Sequence, residues 1–121
     1  CQECRAHDEP SADVKNKIKK FLTGLPKRVD KSKYEKIQIS QPKGCKKCGG
    51  TGYKGRVAVF ELLEVGDVIE GMITPAIGEA AILKQAQKQG MVTMQEDGIL
   101  KVISGVTTFE EIEGVTGPLK W

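Results

Sequence analysis

The spacing of apolar positions changes along the 121 residues, and each change marks an element. Between Ser11 and Pro26, Val14, Ile18, Phe21, Leu22 and Leu25 fall on one helical face, and Lys15, Lys17, Lys19 and Lys20 take most of the other. Ser11 offers an N-cap oxygen and Pro26 a stop, so the spacing predicts a helix over residues 11–25. The polar stretch Lys27–Lys33 reads as a loop or short turn reaching toward Tyr34. Residues 35–40 then alternate polar and apolar, the period of a half-buried strand with Ile37 and Ile39 inward. A longer apolar strand, Val57-Ala58-Val59-Phe60, lies within Tyr53–Val65, and the two strands are expected to form a β-hairpin around the turn between them.

From Gly66 the period becomes helical. A short helix is predicted over Asp67–Ile73, a second from Gly78 or Glu79 to Gln89 with Gly90 as its stop, and a third opening on the capping box Thr93-Met94-Gln95-Glu96 and burying Ile99, Leu100, Val102 and Ile103. Thr107 or Thr108 caps a fourth from Phe109 to about Glu113, and Gly114–Trp121 reads as irregular. The expected fold is α+β. A cysteine-bearing module with a β-hairpin and an inserted helix (residues 1–65) is followed by a small all-helical subdomain (residues 66–121).

The cysteines add a chemical constraint to this pattern. All four lie in two CxxC pairs, Cys1-Gln2-Glu3-Cys4 and Cys45-Lys46-Lys47-Cys48. Two such knuckles supply the four thiolates of a tetrahedral zinc site, and four thiolates close the coordination sphere against a polarised water. A structural Zn²⁺ held by Cys1, Cys4, Cys45 and Cys48 is therefore expected, and a catalytic one is not. A metal crosslink would also help a chain whose aromatic content is only 5%. Paired CxxC motifs point to a reducing compartment, and no run of apolar residues is long enough to span a membrane. His7, the only histidine, reads as a loop residue that could also replace a cysteine ligand. Because the chain opens on a ligand, we expect it to be a fragment of a longer protein.

Charge divides the chain unevenly. Residues 1–60 carry 15 basic and 6 acidic side chains, residues 61–121 carry 4 and 10, and the total is +3. Lys43, Lys46, Lys47 and Lys54 surround the second knuckle and offset the formal −2 of a Cys₄ zinc centre. The simplest role of the basic excess is a solvated face; an acidic partner is the sharper one.

Other motifs fail on context. Gly50-Thr51-Gly52-Tyr53-Lys54-Gly55 satisfies GxGxxG, but it follows a cysteine knuckle and leads into a strand, whereas a dinucleotide site needs a strand before it and a helix after it. Its glycines fit positive φ angles and close packing instead. Lys31-Ser32 lacks the glycine a phosphate-binding loop requires. Glu96-Asp97 suits the N-terminal end of a helix dipole better than catalysis. No catalytic residue is assigned.

The compound motif Gly44-Cys45-x-x-Cys48-x-Gly50-Thr51-Gly52-Tyr53-x-Gly55-Arg56, followed by Phe60-Glu61-Leu62-Leu63, resembles the C-terminal region of the type II secretion and type IV pilus assembly ATPases. Further similarity lies in Ala86-x-x-x-Gly90-Met91-x-Thr93-Met94-x-x-Asp97-Gly98 and in Gly105-Val106-Thr107-Thr108-x-Glu110-Glu111-Ile112, and Cys1-x-x-Cys4 resembles the upstream knuckle of that family. Similarity is weakest over Ser11–Lys36.

The resemblance implies a non-catalytic, zinc-binding part of a hexameric cytoplasmic motor, peripheral to the inner membrane through its partners. Those partners would be an upstream ATPase core, neighbouring subunits and an inner-membrane platform protein. ATP and Mg²⁺ would bind upstream of residue 1 and not to this fragment. Two other classes share single features. Cys45-x-x-Cys48-x-Gly50-x-Gly52 matches one zinc-binding unit of Hsp40-type chaperones, which bind unfolded polypeptide, but the other pair lacks the glycines. A zinc-ribbon nucleic-acid binder would use the lysines, yet aromatic residues for base stacking are sparse, so nucleic acid is not expected.

Overall fold

A computed structural model describes residues 1–74 and 76–121. Strand β1 spans Arg5–Asp8, helix α1 Ala12–Gly24 and strand β2 Ile39–Pro42; helices α2 (Asp67–Met72), α3 (Glu79–Lys88), α4 (Met94–Ile103) and α5 (Phe109–Thr116) complete the chain. Single 3₁₀ turns lie at Lys31–Tyr34 and Lys46–Cys48. The α+β class is as the sequence predicts, and so are the four helices after Gly66, although α5 runs on to Thr116 through residues expected to be irregular.

The antiparallel pair has a different second strand from the one expected. β2 pairs with β1, in the register Arg5↔Pro42 to Asp8↔Ile39, and Val57–Phe60 carries no ladder bond among the described residues. Arg-Ala-His-Asp shows no apolar alternation, so β1 left no periodic signal. Its pairing follows from position, because β1 leaves the first CxxC directly and β2 ends two residues before Gly44-Cys45. The register therefore brings both knuckles to the same end of the ribbon.

Ser11 caps α1 as predicted, its hydroxyl accepting from the Val14 N–H at 3.4 Å. The inner face of α1 does not project away from the rest. Ile18, Phe21 and Leu25 join Ile39 of β2 and Ile99, Leu100 and Ile103 of α4 in one buried cluster, with Val14, Leu22, Ile37 and Phe109 against it. Each fully buried Leu or Ile contributes roughly 1.5–3 kcal/mol by removal from water.

Helix α4 is fixed at both ends. The Thr93 hydroxyl accepts from the Glu96 N–H at 3.2 Å while the Glu96 carboxylate accepts from the Thr93 N–H at 2.7 Å, the capping box read from the sequence. At its other end the Val106 N–H reaches the Lys101 carbonyl at 2.9 Å across Gly105, whose φ of +71° suits glycine.

Gly98 lets α5 approach α4 closely: a Cβ there would lie 2.8 Å from Cγ2 of Ile112. Gly98→Ala gains about 1 kcal/mol of helix propensity but overpacks a buried isoleucine, at a cost of roughly 1–3 kcal/mol. The substitution is expected to be net destabilising by about 1 kcal/mol in urea unfolding, whereas Gly114→Ala, which has open space at its Cβ, should not be destabilising.

Candidate metal centre

The sulfur atoms of Cys1, Cys4, Cys45 and Cys48 lie within 4.8 Å of one another, and all four residues are half-buried. Cys48 Sγ is 3.7 Å from Cys45 Sγ and 3.9 Å from Cys4 Sγ, well beyond disulfide length. A tetrahedron of sulfurs around a zinc ion at about 2.3 Å has edges of about 3.8 Å, so these two separations match what a Cys₄ site needs. The cluster can hold a metal ion, and its donors are those of the site read from the sequence.

Local backbone builds this convergence. Gly52 has φ +81°, and a Cβ there would overlap Pro42 at the end of β2. The turn can therefore fold under the ribbon, where the Gly52 carbonyl accepts from the Cys1 nitrogen at 2.6 Å. The Gly52 N–H and the Cys45 N–H both point at Cys48 Sγ, at 3.2 and 3.1 Å. Desolvation pushes the Cys48 thiol up, but these two N–H donors outweigh it and bring its pKa down to about 6. Desolvation and hydrogen bonding to Cys45 and Cys48 push Cys4 up. These donors favour the thiolate form of Cys48, and metal capture would release the protons of the remaining thiols.

His7 lies apart from this group. It sits in the ladder opposite Ser40, is exposed, and is not among the converging ligands. Of the surrounding lysines, Lys47 pairs with Glu3 at 2.9 Å across the two knuckles, while Lys43, Lys46 and Lys54 are exposed. Glu96 is used in the capping box, and Asp97 pairs with Lys101 and accepts from the Phe60 N–H at 2.8 Å.

Of the three residues that join the centre to the helices, Arg5 and Ser40 carried no motif, whereas Tyr53 lies in the compound motif read from the sequence. The Gly105 carbonyl at the end of α4 accepts from Arg5 Nη1 at 3.0 Å and from the buried Ser40 hydroxyl at 2.9 Å, one from each strand of the ribbon. The Tyr53 hydroxyl, just past the glycine turn, lies 3.0 Å from the Thr108 hydroxyl at the start of α5. Only its sequence position, one residue after Cys4, could have singled out Arg5.

The family model described as Type II/IV secretion system protein matches residues 1–114, so it takes in both knuckles, the ribbon, α1 and nearly all of the helical part. The chain belongs to that family. Among the relatives of this secretion family, the type IV pilus assembly ATPase PilB of Thermus thermophilus is 34% identical over 112 residues, 93% of this chain and 12% of its own length. The type II secretion system ATPase E of Vibrio cholerae is 33% identical over 116 residues, 96% of this chain and 21% of its own. The type II secretion system protein E of Dickeya dadantii is 39% identical over 78 residues, 64% of this chain and 16% of its own. The chain thus spans between 12% and 21% of the length of these secretion and pilus proteins. No helix among the described residues is long and apolar enough to cross a membrane.

Proposed function

We propose that this chain is the non-catalytic, zinc-carrying part of a secretion or pilus-assembly ATPase subunit. The observation that carries the reading is the convergence of Cys1, Cys4, Cys45 and Cys48 in a chain of the Type II/IV secretion system protein family. Its work is mechanical. Zn²⁺ held by the four cysteines supplies a redox-inert crosslink between knuckles separated by 40 residues. The Cys45 and Gly52 N–H groups hold a thiolate ready for it, and Glu3 and Lys47 close the outer side. Arg5 and Ser40 lock the ribbon to the end of α4, and Tyr53 ties the glycine turn to α5. Displacement of the helices is then passed to the knuckle without slack.

The rest of the reading concerns the assembly. The subunit works in the cytoplasm as one of six, and its ATP and Mg²⁺ are bound outside this chain. Residues 1–65 form a basic metal-binding part and residues 66–121 an acidic helical part, joined through the shared core of α1, β2 and α4. The basic knuckle faces an acidic surface on a neighbouring subunit or on an inner-membrane platform protein.

Metal analysis of protein purified under reducing conditions should return one zinc per chain, and a value near zero would remove the crosslink. Reversing Lys43, Lys46 and Lys47 to glutamate should weaken platform binding and hexamer formation by about 10-fold or more at low salt, with the zinc content intact. Unchanged assembly in that variant would remove the acidic partner from the proposal.

A further inference from the structure

The backbone N–H groups aimed at the sulfurs of the metal centre all come from one side of it. Among the described residues, Cys48 Sγ accepts from the Cys45 and Gly52 N–H groups, and the Gly44 N–H faces Cys4. These three donors lie within residues 44–52, and no such donor comes from residues 1–8 or reaches Cys1 Sγ. The turn that presents them is tightly built. Gly44 has φ +84°, a Cβ there would overlap the Gly50 carbonyl, and the Gly50 N–H reaches the Cys45 carbonyl at 2.9 Å. The first knuckle is looser. Gln2 and Glu3 are exposed, and the turn is closed by the Arg5 N–H on the Cys1 carbonyl at 3.1 Å.

Backbone donors of this kind orient a ligand before metal arrives, and losing such outer contacts typically lowers metal affinity about 10–100-fold. They also draw charge from the sulfur, and the intrinsic nucleophilicity of a thiolate falls with its basicity. Cysteines that ligate a metal are all thiolates, so among them the sulfur without a donor reacts fastest with an electrophile.

We propose that the two knuckles divide the work: Cys45 and Cys48 are the preorganised half that captures the metal, and Cys1 and Cys4 are the half that a hydroperoxide oxidises, opening the crosslink beside β1. The inference rests on the zinc reading above. Zinc keeps its oxidation state throughout, and the chemistry is that of the thiolates. The Cys1 thiolate attacks one peroxide oxygen; the O–O bond breaks, hydroxide leaves and Cys1 becomes a sulfenic acid. The Cys4 thiolate, whose sulfur lies within 4.8 Å, attacks that sulfur, expels a second hydroxide and closes a Cys1–Cys4 disulfide. The two thiolates have given up two electrons, the peroxide has taken them, and two protons from solvent complete two waters. Cys45 and Cys48 keep their turn, so reduction of the disulfide restores the site.

Two measurements on the purified 121-residue chain test this. Cobalt(II), whose thiolate complexes absorb in the near ultraviolet, is titrated into the reduced, metal-free chain and two double variants. Cys1→Ser/Cys4→Ser should retain measurable affinity, and Cys45→Ser/Cys48→Ser should bind at least about 10-fold more weakly than that variant. Equal affinities or the reverse order overturn the division of work. The zinc-loaded chain without substitutions is then treated with hydrogen peroxide, with released zinc read by a chromogenic chelator and disulfides by peptide mass spectrometry. Zinc release together with a Cys1–Cys4 bond, both reversed by dithiothreitol, is the expected result. A Cys45–Cys48 bond, a bond between the knuckles, or zinc retained after peroxide overturns the inference and leaves the zinc reading standing. A chain that takes up neither cobalt nor zinc removes the zinc reading and the inference with it.

Discussion

Stripping the metal from the purified chain with a chelator is expected to lower its Tm by about 10 °C, and Cys45→Ser should reproduce most of that loss without chelator. A ligand that binds only the folded chain stabilises it by about 2.7 kcal/mol at one hundred times its dissociation constant. For a domain of this size each kcal/mol moves Tm by roughly 3–6 °C, which gives the expected shift. Structural zinc sites bind far more tightly than this minimum requires, so 10 °C is the low end. The loss should also be uneven. Without the crosslink, residues 1–8 and 39–56 keep the short ladder, the exposed Glu3–Lys47 pair, the Cys1–Gly52 contact, the bonds to Gly105 and Thr108 and a single core residue, Ile39. Helices α4 and α5 bury Ile99, Ile103 and Ile112, and none of the four cysteines belongs to the core cluster around Ile99 and Ile103. Amide exchange should therefore accelerate first in the ribbon and knuckle. A chelated chain with unchanged Tm would show that the four cysteines contribute nothing to the fold. Equal acceleration in both halves would show that residues 1–65 and 66–121 unfold together.

That the four cysteines could converge was legible because metal-ligand chemistry is written in residue type and spacing, and nothing but cysteine pairs was needed to read it. The four C-terminal helices were legible for a similar reason: each carries its own apolar periodicity, and α4 also has its own capping box in Thr93 and Glu96. The strand partner was not. Arg5–Asp8 has a single apolar residue, Ala6, and becomes a strand because the cysteines on either side fix where it must lie. The opposite error occurred at Val57–Phe60, where local propensity for a strand is strong but no sheet edge among the described residues pairs with it. A β-strand needs a partner that periodicity cannot name, whereas a helix satisfies its own backbone. The bonds of Arg5 and Ser40 to Gly105 were hidden as well, since they join positions 100 and 65 residues apart.

Ile103→Ala is expected to cost about 3–4 kcal/mol, within the range for truncating a fully buried isoleucine and leaving its cavity. Ile103 is 0% exposed, and its carbonyl also accepts the Gln38 N–H at 2.9 Å where the chain enters β2. Ile18→Ala, at an equally buried position on α1, should cost a similar amount, while Val115→Ala, at 71% exposure, should stay within about 0.5 kcal/mol. The informative quantity is the double variant. Ile18 and Ile103 belong to one buried cluster although the first lies in the insert between the knuckles and the second in the helical part. If the insert folds as part of that core, the second truncation removes packing that the first has already loosened. The two losses should then fail to add by about 0.5 kcal/mol or more. Additive losses would mean that α1 rests on α4 as a separate body, and the metal crosslink would then be what keeps the insert in place. Urea unfolding of the two single variants and the double variant, with zinc held constant, decides between these outcomes.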